Sequence, residues 1–200
     1  MAKGMWRIAA FALLVAGLVA CATKVERIDT EEVRDLSGTW NDTDSRLVSE
    51  EMIKDVLGGA WLGQYSRSHG KPPVVIVGEI RNLSHEHISV NTFVGDMERA
   101  LINSGTVDVV ASSTERQDVR EERKDQDINA REETRKAMGQ ETGADFMLKG
   151  TINSIIDREG KQSIKYYQVD LTLVDMTDNR KVWLGQKKIK KFVDKRSLRF

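Results

Sequence analysis

Apolar positions recur along this chain with two periods, one near 3.6 and one of 2. Val48, Met52 and Val56 fall at i, i+4 and i+8, and Leu47, Ile53 and Leu57 widen the stripe. That spacing predicts an amphipathic helix running to about Leu57. The stretch Ser37-Gly38-Thr39-Trp40-Asn41-Asp42-Thr43-Asp44 opens it, with Gly38 permitting a turn and the Asn, Asp and Thr side chains offering capping oxygens. Gly58-Gly59 stops it. Trp40 is expected to pack across the start of that helix rather than to bind a ligand. Ala60 to Pro73, with Trp61, Tyr65 and His69, is expected to be a loop. Val74-Val75-Ile76-Val77 is an unbroken β-branched run, the pattern of a strand covered on both faces.

A second helix is expected from a cap at Asn91 or Thr92, through Phe93, Val94, Met97 and Leu101, to Gly105. Val107 to Ala111 gives the next strand, and two strands joined by such a helix make a right-handed βαβ unit. Thr114 to Lys136 carries 15 charged residues among 23, with Val119 and Ile128 its only large apolar side chains. Asp127–Arg131 and Glu132–Lys136 would be favourable i, i+4 pairs there. This predicts a solvated helix, broken near Asp127, that serves either as a plain surface helix or as an arm that grips a partner. Phe146, Leu148 and Ile152 share one face of a following strand, and Asp157-Arg158-Glu159-Gly160 supplies a hairpin turn. Tyr167, Val169, Leu171 and Leu173 then alternate with Gln168, Asp170 and Thr172, inward against outward. Thr177 to Arg180 turns again, before a last strand from Val182 to about Val193. The order α-β-α-β-α-β-β-β has a parallel start and an antiparallel finish. It predicts an α/β (α+β mixed) single domain, a mixed sheet of about five strands with helices packed on it.

The N-terminus has a different pattern. Lys3 and Arg7 precede an uncharged apolar run from Ile8 to Leu18, the n-region and h-region of a secretory signal peptide. The run is short for a bilayer-spanning helix, which needs roughly 20 apolar residues. Leu18-Val19-Ala20-Cys21 resembles the bacterial lipobox at each of its four positions. The resemblance implies cleavage before Cys21, a diacylglyceryl group on its thiol and acylation of its new amine. Residues 1–20 are then a lipoprotein signal peptide. Residues 21–37 are a lipidated N-terminus and flexible tether, residues 38–193 a globular domain and residues 194–200 a basic tail. The tether is rich in charge and poor in large apolar groups, so it cannot bury enough surface to fold alone.

Composition narrows the chemistry. The 31 basic and 31 acidic residues balance, so no whole-molecule field steers the chain toward nucleic acid. Cys21 is the single cysteine, which excludes an internal disulfide. No G-x-S-x-G, H-E-x-x-H, P-loop or C-x-x-C motif is present, and nothing points to an enzyme, a cofactor or a small-molecule substrate. His85 and His87 could share a face on extended chain, but a metal needs a third or fourth ligand and only His69 remains. The segment from Arg180 to Phe200 is uneven, with nine cations against Asp194. It is either a lysine-protected edge strand or a contact for an acidic partner, anionic lipid or cell-wall polymer.

Several blocks together resemble one family, the LpoB-type lipoproteins that activate bifunctional penicillin-binding proteins. They are the lipobox ending at Cys21, Ser37 to Arg46, Gly78-Glu79-Ile80-Arg81-Asn82, Glu86-His87-Ile88, Gly143 to Gly150, and Leu171 to Trp183, collinear along the chain. The resemblance implies a domain similar to the N-terminal domain of TolB. It also implies an envelope role in which the chain binds and stimulates a bifunctional peptidoglycan synthase. Ala22 stands after the cysteine where an aspartate would resemble an inner-membrane retention signal, so the expected anchor is the outer membrane, facing the periplasm. The competing class is a structural envelope lipoprotein that assembles with itself or with cell-wall polymer. The segment after the first strand, with Arg81, Asn82, His85, Glu86 and His87, is the expected partner contact. The alternative is that these side chains only hydrogen-bond the loop into shape.

Overall fold

The computed structural model describes residues 24–195. The signal segment 1–20, the lipidation candidate Cys21, and the tail cations Arg196 and Arg199 lie outside the described residues. Residues 24–32 form a separate short unit in which the Asp29 side chain accepts a hydrogen bond from the Glu31 amide at 2.8 Å. From Val33 onward the chain builds one body.

Helix α1 (Asp42–Gly58) is set by a capping box: the Asn41 side chain accepts from the Asp44 amide, and the Asp44 carboxylate accepts from the Asn41 amide. Its i, i+4, i+8 stripe of Val48, Met52 and Val56 is buried. The expected loop after Gly58-Gly59 is instead helix α2 (Ala60–His69). Gly59 breaks α1 by turning extended, but the helix restarts at once because Trp61 and Tyr65, four residues apart, both pack edge-on against Phe146. Trp61 Nε1 also donates to the Val56 carbonyl at 2.7 Å, closing the end of α1. Strand β1 (Val74–Asn82) follows, longer than its β-branched run, so Arg81 and Asn82 lie on the strand and not in the loop after it. Helix α3 (Val90–Ser104) starts after Ser89, ahead of the expected Asn91 or Thr92 cap, and ends at Gly105 with φ +63°. Phe93, Met97 and Leu101 form its buried stripe.

The remaining elements are β2 (Asp108–Val110), α4 (Ser113–Asn129), β3 (Phe146–Glu159), β4 (Gln162–Asp175) and β5 (Lys181–Asp194). Helix α4 has its own capping box, Ser112 with Glu115, and no buried residue. It ends at Asn129, so the pairs expected at Asp127–Arg131 and Glu132–Lys136 do not form helically; Arg131 faces Glu133 and Arg135 faces Glu132 instead. The long β3–β4 hairpin turns at Gly160, φ +57°, just beyond the Asp157 to Glu159 segment, which is still paired.

The five strands form one mixed sheet in the order β2-β1-β3-β4-β5. Strands β2, β1 and β3 run parallel, joined through helices; β3, β4 and β5 run antiparallel, joined by tight turns. One core lies between α1, α2 and α3 and one sheet face, and it includes Val75, Val77, Leu148, Ile152, Val169, Leu171 and Leu173. Tyr167, Val169, Leu171 and Leu173 are each at most 1% exposed, as the alternation of β4 predicts. On the opposite face of β3–β5, Ile155, Leu184 and Phe192 stay open to solvent. No helix among the described residues is long and apolar enough to cross a membrane.

Candidate functional site

The segment expected to carry the contact begins on β1 and wraps over its end. Asn82 holds it in shape. Its side-chain amide donates to the Glu86 carbonyl at 2.8 Å, and its Oδ1 accepts from the Ser84 amide and hydroxyl at 3.0 and 2.7 Å. The Leu83 amide donates to the Ile152 carbonyl, and the His85 amide donates to Ser154 Oγ at 3.0 Å, so β3 anchors the loop. Ile88 is buried in the core, whereas Leu83 is exposed.

Glu86 points inward. Its Oε1 accepts from Lys165 Nζ at 2.8 Å, and its Oε2 accepts from the Tyr167 hydroxyl at 2.8 Å and the Trp40 amide at 3.0 Å. The Lys165 and Glu86 side chains are only 9% and 13% exposed. Burial alone would raise the Glu86 carboxyl, but the Lys165 ammonium, the Trp40 amide and the Tyr167 hydroxyl together hold it below the ordinary glutamate range. The Tyr167 hydroxyl is pushed up by burial and by this carboxylate. Trp40 completes the knot: its ring meets Tyr167 edge-on at 5.5 Å and its Nε1 donates to Ser45 at 2.8 Å. It packs across the start of α1, as expected.

A second ionic knot lies beside the first. Lys191 Nζ, on β5, donates to Asp44 and Asp35 at 2.6 Å each and to the Thr39 carbonyl at 3.3 Å. Burial works to lower the Lys191 ammonium, but the two carboxylates outweigh it and raise it above its ordinary value. The same contact lowers the Asp35 carboxyl. Three of the nine C-terminal cations are thereby seen in ion pairs: Lys191, Lys187 with Glu51, and Arg180 with Asp178.

The five residues expected to meet a partner therefore divide. Asn82 and Glu86 are turned to the fold. Arg81, His85 and His87 remain exposed in one short stretch beside them. His85 Nδ1 is 3.1 Å from Ser154 Oγ, and His69 stacks on Tyr65 in α2. Among the described residues no three His, Cys, Asp or Glu side chains gather as a metal set. Sequence reasoning passed over Lys165 and Lys191, although strand parity could have found them. Lys165 is two residues before inward Tyr167, and Lys191 lies between Ile189 and Val193 on the inward register.

The fold is similar to several solved structures of low identity. The C-terminal domain of LpoB from Escherichia coli matches with a TM-score of 0.38 and 12% identity, over 65% of this chain and 95% of that one. Lipoprotein GNA1162 from Neisseria meningitidis matches with a TM-score of 0.37 and 16% identity, over 60% of this chain and 84% of that one. A PelC dodecamer from Paraburkholderia phytofirmans matches with a TM-score of 0.35 and 16% identity, over 61% and 74%. No curated protein matches the chain. A family model described as peptidoglycan-synthase activator LpoB matches residues 44–189, from the first turn of α1 into β5. That match takes in Glu86, Lys165, Tyr167 and Asp44 of the two knots but not Asp35, Thr39, Trp40 or Lys191, and on its extent the chain belongs to the LpoB family of peptidoglycan-synthase activators.

Proposed function

We propose that this chain is a lipid-anchored envelope protein that binds a bifunctional penicillin-binding protein and stimulates its peptidoglycan synthesis. The supporting observation is the family match over residues 44–189, which covers all five strands and four helices apart from short terminal stretches. The anchor is Cys21, within its lipobox, and the membrane is the outer one, with the domain facing the periplasm. The protein contributes no catalytic group. It acts by binding one conformation of the synthase more tightly than the others, which shifts the synthase population toward the active state. The contact in this reading is the exposed stretch of Arg81, His85 and His87. Asn82 and Glu86 hold it rigid, so little ordering entropy is lost on binding.

The test is a glycan-polymerisation assay with the cognate synthase and the purified mature chain, paired with a pulldown from detergent-solubilised membranes. The expected result is a synthase in the eluate and a rate that rises with added protein. An eluate holding only this chain or glycan, with no change in rate, would overturn the reading in favour of a structural lipoprotein.

A further inference from the structure

Strand β2 stops early. It pairs with β1 only from Val74↔Asp108 to Ile76↔Val110, whereas β1 runs on to Asn82. From Val77 onward the β1 edge on that side faces no strand among the described residues. Such an edge presents backbone donors and acceptors to another extended chain. Where β2 would continue there is a cleft of about 720 Å³. Its floor is Ile76 to Ile80. One wall is Val90, Val94 and Glu98 of α3, and the other is the first turn of α4, Ser112 to Arg116. The position is a favoured one for a ligand. The chain leaves β1 through α3 to β2, then crosses back through α4 to β3 on the other side of β1. In open α/β sheets, ligands bind beside the carboxyl ends of strands where the order reverses in this way.

The charges in the cleft narrow what it can hold. Three carboxylates, Glu79, Glu98 and Glu115, line it against one cation, Arg116. Glu115 is already used: it accepts from the Ser112 amide at 2.7 Å, and the Ser112 hydroxyl accepts from the Glu115 amide. The N-terminus of α4 is thus capped from within and offers little to an anion. Glu79 and Glu98 make no ion pair among the described residues. Burial and the nearby Glu115 raise the Glu98 carboxyl, a strain that a cation would relieve. Arg116 Nε is sealed from water with no hydrogen-bond partner, a donor left waiting for an acceptor. A lone anion would meet three carboxylates, and a bare cation would leave Arg116 unsatisfied. A peptide strand with a basic side chain answers both. Its carbonyl oxygens suit Arg116 and the open β1 edge, and its cation suits Glu79 and Glu98. Gly95 leaves room for it, since a Cβ there would meet nothing within 4 Å.

We propose that this cleft receives an extended segment of a partner protein carrying a lysine or arginine, which adds to β1 as a strand in line with β2. Backbone pairing supplies affinity, and the two unpaired carboxylates select the cation. The proposal does not rest on the synthase reading, and its test uses no synthase.

The probes are two capped peptides, acetyl-Thr-Val-Lys-Val-Thr-amide and its counterpart with Glu in place of Lys. Each is titrated into the mature chain by calorimetry, and backbone hydrogen exchange is followed from Val77 to Ile80. The Lys peptide should bind with a dissociation constant of about 1 mM or lower and slow exchange in that stretch. The Glu peptide should bind about tenfold more weakly or worse. Glu79→Gln with Glu98→Gln should erase the difference between the two peptides. Gly95→Leu fills the open space without striking the fold, and should abolish binding with no loss of melting temperature. No binding of the Lys peptide would overturn the proposal, as would equal affinity for the two peptides or binding retained by a folded Gly95→Leu. Should Gly95→Leu fail to fold, the charge variant decides alone, and a preference for Lys that survives it overturns the proposal. Protection of Val77 to Ile80 that appears in the chain alone, grows with its concentration and is lost on removal of residues 196–200 would assign the cleft to a second copy and also overturn it.

Discussion

Lys165 Nζ donates to Glu86 Oε1 at 2.8 Å, joining residues 79 apart in the chain and both nearly sealed from water. The pair ties the loop after β1 to the inward face of β4. Glu86 also accepts from the Trp40 amide, so three separate segments meet on one carboxylate.

Breaking that pair from one side should be costly. Glu86→Gln keeps acceptors for Trp40 and Tyr167 but strands the Lys165 ammonium in the interior. We expect a loss of about 3 kcal/mol or more in chemical denaturation. Glu86→Gln combined with Lys165→Met should recover much of it, because no charge is then left unpaired. Equal stability for the single and double variants would show that the ion pair is not what holds the loop.

This site and the Lys191 knot beside it together set the acid limit of stability. Glu86 and Asp35 are both depressed below their ordinary values of 4.5 and 3.8. A depressed carboxyl contributes stability above its unfolded pKa and loses it as pH falls through its folded pKa. Melting temperature should therefore hold down to about pH 5 and then drop below it. Glu98 has the opposite sign, since burial and the neighbouring Glu115 raise it. Glu98→Gln should stabilise the protein slightly at neutral pH, and less as the medium becomes acidic. Lys191, raised above 10.5, keeps its contribution through neutrality and loses it only on the alkaline side. A melting curve flat down to the acid range in wild type and identical in Glu86→Gln would contradict this assignment.

Strand β4 tests the two sheet faces. Leu171→Asp places a carboxylate at a position 1% exposed and should leave no cooperative unfolding transition. Gln168→Lys, on the outward face, should be within about 0.5 kcal/mol of wild type. At Gly150 a side chain would strike the Asp170 carbonyl, which is backbone and cannot swing away. Gly150→Ala should thus lose about 2 kcal/mol or more, measurable by urea titration.

For the proposed partner contact, Arg81→Ala with His87→Ala removes only exposed groups. Its melting temperature should match wild type while stimulation of the cognate synthase falls, since hot-spot contacts contribute ~2 kcal/mol or more, roughly thirtyfold in affinity. Undiminished stimulation would move the search to α4, where Val119 and Ile128 are exposed among charges.

The anchor is checked most simply. Cys21→Ala should accumulate as an uncleaved precursor that takes up no lipid label. Processed, labelled protein from that variant would refute attachment at Cys21.

Periodicity alone determined a good deal of this protein. The stripes of α1 and α3 and the inward set of β4 are visible in the sequence because helix and strand periods are local properties, and each of these segments buries one clean face. Gly105 and Gly160 marked turns for the same local reason. What the sequence left to the tertiary structure shares a different cause. Trp61 and Tyr65 make α2 a helix only because Phe146, some 80 residues later, offers both of them a surface; Gly58-Gly59 looked like an end when the partner was out of view. Arg81 and Asn82 belong to β1 because β3 extends the pairing past a register shift between Val77 and Ile80. The division of Arg81 to His87 into an inward Glu86 and an exposed Arg81, His85 and His87 also came from outside the segment. A carboxylate turns inward only where a buried ammonium, a tyrosine hydroxyl and a backbone amide are waiting, and Lys165, Tyr167 and Trp40 arrive from two distant parts of the chain. Local pattern fixes which residues face a core. Which charges enter it depends on partners that only the folded chain brings together.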